Sequence, residues 1–412
     1  MTQEQVISIS CKMKVSENLA KDIDETLVKF SCACEWVNAN TPKGLTNKTG
    51  MQSLVYKDVR DKFGLSSNLA IQAIRRVCAN RKTAKLKNRK VKGFAPTSAT
   101  YDARIFSFKE SDWSVSLKLL NSRERFSLHI GNYQRGMLKG QNPTSATLVK
   151  RKTGEYYIDI QIKRPCPDPT KTTKVLGVDL GRSDIAHTSE GDSYSGKEIT
   201  LKRNHHAKMR QVLQRKASKG TRSGRRRCRQ LQQRLSGKEK RYQSWLNHNI
   251  SRQLVDKAET NGQAIALEDL TGIRKRTNTL PRTKKERRLS NSWAFFQLRQ
   301  FITYKSILNG VELVFVNPAY TSQTCSQCLH IHPQKGKSYR NGKTFRCGHC
   351  GYKADSDRNG ANNISALGQL VISPRGTGLY CELSFEPRYV QLNLFEALGL
   401  PKAPDSAKAV GS

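Results

Sequence analysis

Apolar and polar residues alternate along residues 4–15, a pattern that is typical of a half-buried β-strand. From Ser16 to about Lys90 the apolar positions recur instead with helical spacing. Between about Tyr101 and Lys163 the alternation returns in short runs that turn residues separate. These patterns predict a small antiparallel barrel or sheet, formed by residues 1–15 and 95–165, with a helical insert over residues 16–94.

The second half of the chain alternates strand and helix patterns. It follows a stretch rich in Pro and Thr, residues 165–173, which we predict to be the main domain boundary. Two apolar runs predict buried strands that each carry a carboxylate near the end, Asp179 in "VLGVDLG" and Glu268 in "QAIALEDL". A third run, "VELVFVNP", predicts another buried strand that Pro318 ends. Strands that alternate with helices predict an α/β layer.

Helical patterns fill the segments between these strands. Residues 201–243 predict one long helical stretch, and "SNSWAFFQLRQFITYKSILNG" predicts a helix with Ser290 or Asn291 as its N-cap and Gly310 as its stop. Between the two, an amphipathic helix carries an apolar stripe that we predict to face the core. That stripe comprises Trp245, Leu246, Ile250, Leu254, Val255 and Ala258.

The charge of the chain indicates its partner. The 412 residues include 73 Lys and Arg against 33 Asp and Glu, which leaves a formal charge of +40. Residues 201–243 alone hold sixteen cations and the single acid Glu239, and such a helix favours contact with phosphates. The chain has no run of about eighteen apolar residues and no signal-peptide pattern at its N-terminus. We therefore expect a soluble intracellular protein that binds nucleic acid and no membrane.

Four of the eleven cysteines have the spacing of a zinc site. They form two CxxC pairs with eighteen residues between the pairs, and comprise Cys325, Cys328, Cys347 and Cys350. Each pair supplies two thiolates to a tetrahedral ion, and a closed set of four thiolates is structural and not catalytic. A redox role is the alternative, but the context lacks the expected βαβ pattern. We predict one zinc ion in a ribbon over residues 321–352, with Phe345 and Tyr352 as packing residues.

A third acidic position follows the second cysteine pair, where "ADSDRNGANNISAL" enters a predicted helix. One of Asp355 and Asp357 is expected to be the N-cap of this helix. The other would join Asp179 and Glu268 at one edge of the sheet. Three carboxylates so placed would hold two Mg²⁺ ions for phosphodiester hydrolysis.

The motifs "GVDLG", "IALEDLTGI", "NPAYTSQTCSQC", "CGHCGY" and "DRNGANNI", in this order, resemble the RuvC-like nuclease half of TnpB proteins and of the compact type V CRISPR effectors. The resemblance covers roughly residues 174–370. It implies an RNase H-like fold over residues 174–320 and 353–370, with the zinc ribbon inserted between them. It also implies a wedge-type barrel with a helical recognition insert in the N-terminal half, and a partly disordered tail over residues 371–412. The whole chain would then be an α+β multidomain protein.

The same resemblance implies an RNA-guided DNA endonuclease of prokaryotic origin, cytoplasmic and associated with the nucleoid. Its catalytic, Mg²⁺-binding residues would be Asp179, Glu268 and Asp357, with Asp355 as an alternate for the third. Its partners would be a guide RNA and a double-stranded DNA target beside a short flanking motif. We treat it as a monomer, with the oligomeric state left open. Nucleic-acid contacts are predicted for two basic groups: Arg75, Arg76, Arg81 and Lys82 near the insert, and Arg225, Arg226 and Arg227 in the nuclease half.

Two other functions compete with this interpretation. The first is an RNA-guided DNA-binding regulator that has lost cutting, against which the three intact carboxylates argue. The second is a DDE-type transposase or resolvase that acts without RNA, against which the zinc ribbon and the recognition-like N-terminal half argue. Copurifying RNA discriminates between guided and unguided functions.

Overall fold

The computed structural model describes residues 4–181, 183–273, 279, 281, 283, 287, 294–334 and 336–373. The chain divides into two compact units that meet in sequence between Arg164 and Pro165. This division falls at the start of the segment predicted as the domain boundary. Most of the predicted C-terminal tail, from residue 374 onward, lies outside the described residues.

The N-terminal unit contains a seven-stranded sheet. Its strands are β1 Glu4–Met13, β2 Ser98–Asp102, β3 Phe106–Lys109, β4 Ser114–Lys118, β5 Arg123–His129, β6 Ser145–Lys150 and β7 Tyr156–Pro165. They lie in the order β2-β6-β7-β1-β5-β4-β3, and β2 pairs with β6, β6 with β7, and β3 with β4 in antiparallel fashion. The strands occupy the range predicted for the barrel or sheet. Closure into a barrel stays a prediction.

Helices α1 Glu17–Ala39, α2 Lys48–Phe63 and α3 Ser67–Leu86 lie between β1 and β2, within the range predicted for the helical insert. On α1, Ile23, Leu27 and Phe30 recur at helical spacing and are fully buried. A short helix that the sequence did not predict, α4 Asn132–Leu138, follows β5. It begins where the side chain of Gln134 accepts a hydrogen bond from the backbone N–H of Gly131, at 3.1 Å.

The C-terminal unit contains a five-stranded sheet. Its strands are β8 Val175–Asp179, β9 Asp184–Thr188, β10 Ser193–Ser195, β11 Ala264–Glu268 and β12 Leu313–Val316, in the order β10-β9-β8-β11-β12. β8 pairs with β9 in antiparallel fashion, whereas β8, β11 and β12 run parallel to one another. The parallel strands require helical crossovers, which matches the predicted α/β layer.

Five described helices accompany this sheet: α5 Lys197–Lys219, α6 Arg222–Leu235, α7 Lys238–Thr260, α8 Phe295–Leu308 and α9 Ser356–Ile372. The stretch predicted as one long helix is therefore interrupted twice, at Gly220 and at Gly237, whose φ of +77° is left-handed. The predicted stop at Gly310 is confirmed, since its φ is +64° and α8 ends just before it. Ser290 and Asn291, the predicted N-caps, lie outside the described residues.

Trp245 was wrongly predicted to be a core residue. Its side chain is 57% exposed on α7, where its ring lies 5.7 Å from that of Tyr242. Ile250, Leu254, Val255 and Ala258 are buried as predicted, and Leu246 packs against the same core. Trp245 precedes Leu254 by nine residues, which places it about 180° around the helix axis from the buried face.

The two faces of the sheet are packed differently. Leu176, Val178, Ile265 and Leu267 face a core that α7 and α8 complete. The alternate residues Val175, Ala264 and Ala266 face α9, together with Ile364 of that helix. Because successive side chains of a strand point to opposite faces, Asp179 and Glu268 belong to the α9 face.

A small antiparallel sheet lies between β12 and α9. It comprises β13 Arg340–Asn341, β14 Thr344–Arg346 and β15 Lys353–Asp355. Its core contains Cys325, Cys347 and Phe345, with Tyr352 packed against them, so the two predicted packing residues are confirmed. A core of so few residues indicates that another interaction stabilises the segment.

In the part of the chain that the structure describes, none of the helices combines the length and the apolar character that crossing a bilayer requires.

Candidate active site

The sheet register brings the first two predicted carboxylates to one edge. Val178 of β8 pairs with Leu267 of β11, so the next residues, Asp179 and Glu268, lie level at the carboxyl ends of two parallel strands. Both lie on the face that α9 covers. The edge where parallel strands end is a common place for ligand sites in α/β folds.

Small residues let α9 approach this edge closely. A Cβ atom added at Gly177 would lie 2.1 Å from the backbone oxygen of Ala361, which leaves no room for a side chain. A Cβ atom added at Gly360 would lie 3.1 Å from Asp179 Oδ2. The glycines of "GVDLG" and "DRNGANNI" therefore bring the N-terminal turn of α9 against the Asp179 carboxylate.

The site is electrostatically costly for its own carboxylates. Burial, followed by the nearby Glu268 and Asp357, raises the pKa of Asp179 to about 7. Burial also raises the pKa of Glu268, against a hydrogen bond from Thr321 that lowers it. The Asp179 carboxylate thus lies close to two other acids and is shielded from solvent. Under these conditions the binding of a cation is favourable.

Asp355 and Asp357 have separate roles in the structure. Asp355 is the N-cap of α9, and its Oδ1 accepts from the backbone N–H of Asp357 at 2.8 Å and of Arg358 at 3.3 Å. Asp357 is buried in the first turn and contributes to the pKa shift of Asp179. This geometry favours Asp357 over Asp355 as the third member of the acidic site.

Two cations of the small sheet hold Asp357. Arg340 Nη2 donates to Asp357 Oδ1 at 2.9 Å, and Lys343 Nζ donates to Asp357 Oδ2 and to Asp184. Burial opposes the charge of Lys343, but its hydrogen bonds to Asp184 and Asp357 raise its pKa to about 12. The sequence alone did not identify either cation as part of the site.

Three uncharged side chains support the same region and were also missed from sequence. Thr321 Oγ1 donates to Glu268. Asn359 and Asn363 of α9 both donate to the backbone oxygen of Thr324, at 2.8 Å each. The only sequence signal for them was their place inside the motifs "NPAYTSQTC" and "DRNGANN".

The four predicted zinc cysteines converge. One sulfur from each of Cys325, Cys328, Cys347 and Cys350 lies within 4.8 Å of the others, a cluster that could hold a metal ion such as zinc. His330 and His349 stack on each other with ring centroids 4.6 Å apart and are not members of this cluster. The four thiols are therefore the candidate ligand set.

Two of the predicted nucleic-acid contacts have partners inside the fold. Arg81 is buried, and its guanidinium donates to Asn38 and to backbone oxygens of Pro42 and Leu45. Arg76 donates to Ser98 and Thr100 of β2 and lies over the Phe30 ring, 4.8 Å from its centroid. Both guanidiniums therefore help to hold α3 against its neighbours, and the nucleic-acid contacts predicted for Arg76 and Arg81 stay predictions.

The remaining predicted contacts are exposed. Arg75 and Lys82 lie on the outer side of α3, and Arg75 lines a cavity of about 330 Å³ beside Arg104. Arg225, Arg226 and Arg227 are exposed on α6. These five side chains are placed where a polyanion can reach them, and their contacts stay predictions.

Comparison with known proteins finds one matching family model and several similar sequences. A family model described as Cas12f1-like, TNB domain, matches residues 295–364, the segment that includes α8, the four cysteines and the start of α9. The chain is 30% identical to the CRISPR-associated endodeoxyribonuclease Cas12f1 of Sulfoacidibacillus thermotolerans over 56% of its own length and 54% of that protein. It is 26% identical to the TnpB-like protein MJ0751 of Methanocaldococcus jannaschii over 58% of its length and 86% of that protein.

The chain is similar to TnpB-like and Cas12f proteins over a little more than half of its length. This confirms the resemblance predicted from its motifs. The chain matches only about half of the length of the Cas12f1 relative. A solved structure described as a Cas12f1-sgRNA-target DNA complex has a similar fold, with a TM-score of 0.56 over 84% of this chain and 80% of that chain, at 17% identity.

Proposed function

We propose that this protein is an RNA-guided, Mg²⁺-dependent DNA endonuclease with a single RuvC-like active site formed by Asp179, Glu268 and Asp357. The observation that carries the proposal is the arrangement of these three carboxylates. Two end adjacent parallel strands on one face of the sheet, and the third lies on the helix that covers that face. The relative Cas12f1 is named an endodeoxyribonuclease.

The residues of the site fit divalent cations. Carboxylate oxygens are the ligands that Mg²⁺ prefers. Burial raises the pKa values of Asp179 and Glu268, and for Asp179 the neighbouring acids add to the shift although Arg340 and Lys343 oppose it, so a bound cation would offset the cost of both charges. When bound, two Mg²⁺ ions would activate water and stabilise the leaving oxygen of a phosphodiester. Asp179, Glu268 and Asp357 would hold these ions.

The cations that hold Asp357 suit the same reaction. The side chains of Arg340 and Lys343 are 36% and 46% exposed, so both can also meet a phosphate at the edge of the site. A phosphate there would replace part of the negative charge that they neutralise in this structure. We infer that they help to position the scissile phosphate beside the three carboxylates.

A guide RNA and a target DNA are the partners that we propose. The formal charge of +40 favours polyanions, and exposed arginines on α6 offer phosphate contacts. The sequence of the target would be read by pairing with the guide, whereas the protein would read a short flanking motif and the backbone. One zinc ion in the four-thiolate site would stabilise the ribbon.

The proposal is tested first by sequencing the RNA that copurifies with the protein when it is expressed with its flanking DNA. We expect one abundant species with a constant part and a variable end. RNA without such a species would favour an unguided nuclease and contradict the guided function.

A cleavage assay with that guide tests the site. Glu268→Gln keeps the shape of the side chain but removes its charge, and we expect it to bind RNA normally and to reduce Mg²⁺-dependent cleavage by at least about a thousandfold. Asp269→Asn, at the neighbouring carboxylate that contacts Arg299 and not the acidic site, serves as the matched control. Cleavage by Glu268→Gln at the rate of the control would exclude the proposed site.

A further inference from the structure

A five-residue segment links the four-thiol cluster to the carboxylate edge. This segment, Thr321–Cys325, forms a strap. At one end, the Thr321 hydroxyl donates to Glu268 Oε1. At the other end, Cys325 is fully buried within the thiol cluster. Thr321 itself is only 3% exposed, so water does not compete readily for its hydroxyl.

The strap has a fixed conformation. The residue before it, Tyr320, has a left-handed φ of +63°, which is uncommon for an aromatic residue. Its backbone oxygen accepts hydrogen bonds from the backbone N–H groups of Gln323 and Thr324 and from the Thr324 hydroxyl, at 2.9 Å each. A tight turn therefore aims Thr321 towards Glu268.

Two asparagines of α9 hold the strap from the other side. Asn363 donates to the backbone oxygens of Thr321 and Thr324 at 2.8 Å each. Asn359 donates to Thr324 and accepts from the backbone N–H of Ser326 at 2.9 Å. Both asparagines are buried, so these hydrogen bonds replace water and restrict the strap. The strap is thus fixed to the helix that carries Asp357.

From these contacts we propose that Thr321 is a positioning residue, which orients the Glu268 carboxylate for metal binding, and that the strap makes this orientation depend on the ribbon. The inference rests on the proposed function, because it assigns Glu268 as a metal ligand. A hydroxyl that donates to one carboxylate oxygen fixes the rotation of the carboxylate. The second oxygen and the free lone pairs are then presented at the edge of the sheet. Such partners of ligands typically contribute about tenfold to a hundredfold in metal affinity.

The experiment compares three variants of the full chain, purified with its zinc and matched in RNA content. Thr321→Val keeps the shape of the side chain and removes the donor, whereas Thr321→Ser keeps the donor. Thr324→Val is the matched control, because the Thr324 hydroxyl donates to the backbone oxygen of Tyr320 and not to the carboxylates. The backbone oxygen of Thr324, which the two asparagines use, is unchanged in this variant. Thr321→Ala replaces the valine variant if that protein does not fold, since it removes the hydroxyl without adding bulk. Zinc content reports whether the ribbon is intact.

The probe is Mn²⁺, and its specific binding is defined as the part that Glu268→Gln abolishes. We expect Thr321→Val to weaken this binding about tenfold, and Thr321→Ser and Thr324→Val to retain it. Cleavage by Thr321→Val should require about tenfold more Mg²⁺ and reach a plateau close to that of the unmodified protein. A purely structural role would lower the plateau and leave the Mg²⁺ midpoint unchanged.

Each result separates the two proposals. If Glu268→Gln weakens Mn²⁺ binding and Thr321→Val does not, the positioning role is refuted and the metal site stands. The same conclusion follows if Thr321→Ser binds as weakly as Thr321→Val. If Glu268→Gln leaves Mn²⁺ binding unchanged, Glu268 is not a metal ligand, and both the proposed site and the role of Thr321 are refuted.

Discussion

Arg75 and Arg81 lie on the same helix, and their surroundings differ. Arg81 donates to two loop carbonyls and to Asn38, and is almost completely buried. Arg75 is exposed beside Arg104 at the edge of a cavity. A basic residue in an amphipathic helix can therefore be buried and hydrogen-bonded inside the fold or exposed on the surface. The residue type alone does not distinguish these two cases.

We predict that Arg81→Ala lowers the free energy of unfolding by about 3 kcal/mol, because it leaves several buried carbonyl groups without a donor. Arg75→Ala should leave the stability unchanged and weaken nucleic-acid binding. Denaturant unfolding and binding titrations at several salt concentrations measure the two effects. A stable Arg81→Ala protein with weakened nucleic-acid binding would show that Arg81 is a contact after all.

Helix α6 concentrates positive charge on an element that contributes little to the core. Among its described residues, Cys228 is its buried side chain, and Arg225, Arg226 and Arg227 are exposed. Such an element is held mainly by its contacts with α5, and its positive charges repel one another in the absence of anions. Its sequence favours a polyanion as the partner.

We predict that replacing Arg225, Arg226 and Arg227 by Ala reduces the slope of log affinity against log salt by up to about three, one for each arginine that no longer meets a phosphate. The triple Lys variant is the control, because it keeps the charge and should keep the slope. Because the three side chains are exposed, thermal stability should change little. An unchanged slope in the Ala variant would place α6 outside the nucleic-acid interface.

The strands and α9 depend on small residues as much as on apolar ones. Ala264, Ala266 and Gly177 form the surface of the sheet beneath α9, and Gly368 of α9 faces Ala266 and Val175. Larger side chains at these positions would lift the helix and move Asp357 away from Asp179. Gly and Ala residues in these strands therefore indicate that α9 packs closely against the sheet, in addition to indicating burial.

At the scale of the molecule, side-chain contacts join the ribbon to the five-stranded sheet and α9. The ribbon contributes Arg340 and Lys343 to Asp357, and Thr321 leads from the end of the sheet into it. Stability of the ribbon depends on its four thiols, because its apolar core is small. Loss of the ribbon should therefore affect the acidic site directly.

We predict that Cys347→Ser loses the bound zinc and most of the cleavage activity, although the five-stranded sheet stays folded. Cys32→Ser, at an exposed cysteine outside the cluster, should keep about one zinc per chain and full activity. Zinc content, far-ultraviolet circular dichroism and cleavage measure these effects. A zinc-free Cys347→Ser protein with full activity would contradict the structural role of the ion.

Local patterns in the sequence determined a large part of this protein. Short apolar runs predicted strands that end at Asp179 and Glu268, and paired cysteines predicted the thiol cluster. Both succeed because the information lies within a few residues: a short apolar run suits a parallel strand that is buried on both faces, and CxxC spacing follows from the size of a tetrahedral site. The net charge, which predicted a polyanion as the partner, is likewise read directly from the sequence.

Only the tertiary structure decided which side chains meet. It assigned Asp355 to the helix cap and left Asp357 beside Asp179, and it buried Arg81 while exposing Trp245. It also joined Thr321 to Glu268 across 53 residues of sequence. These outcomes depend on how closely α9, the ribbon and the sheet pack. Packing is a property of contacts between distant segments, which no local pattern of residues encodes.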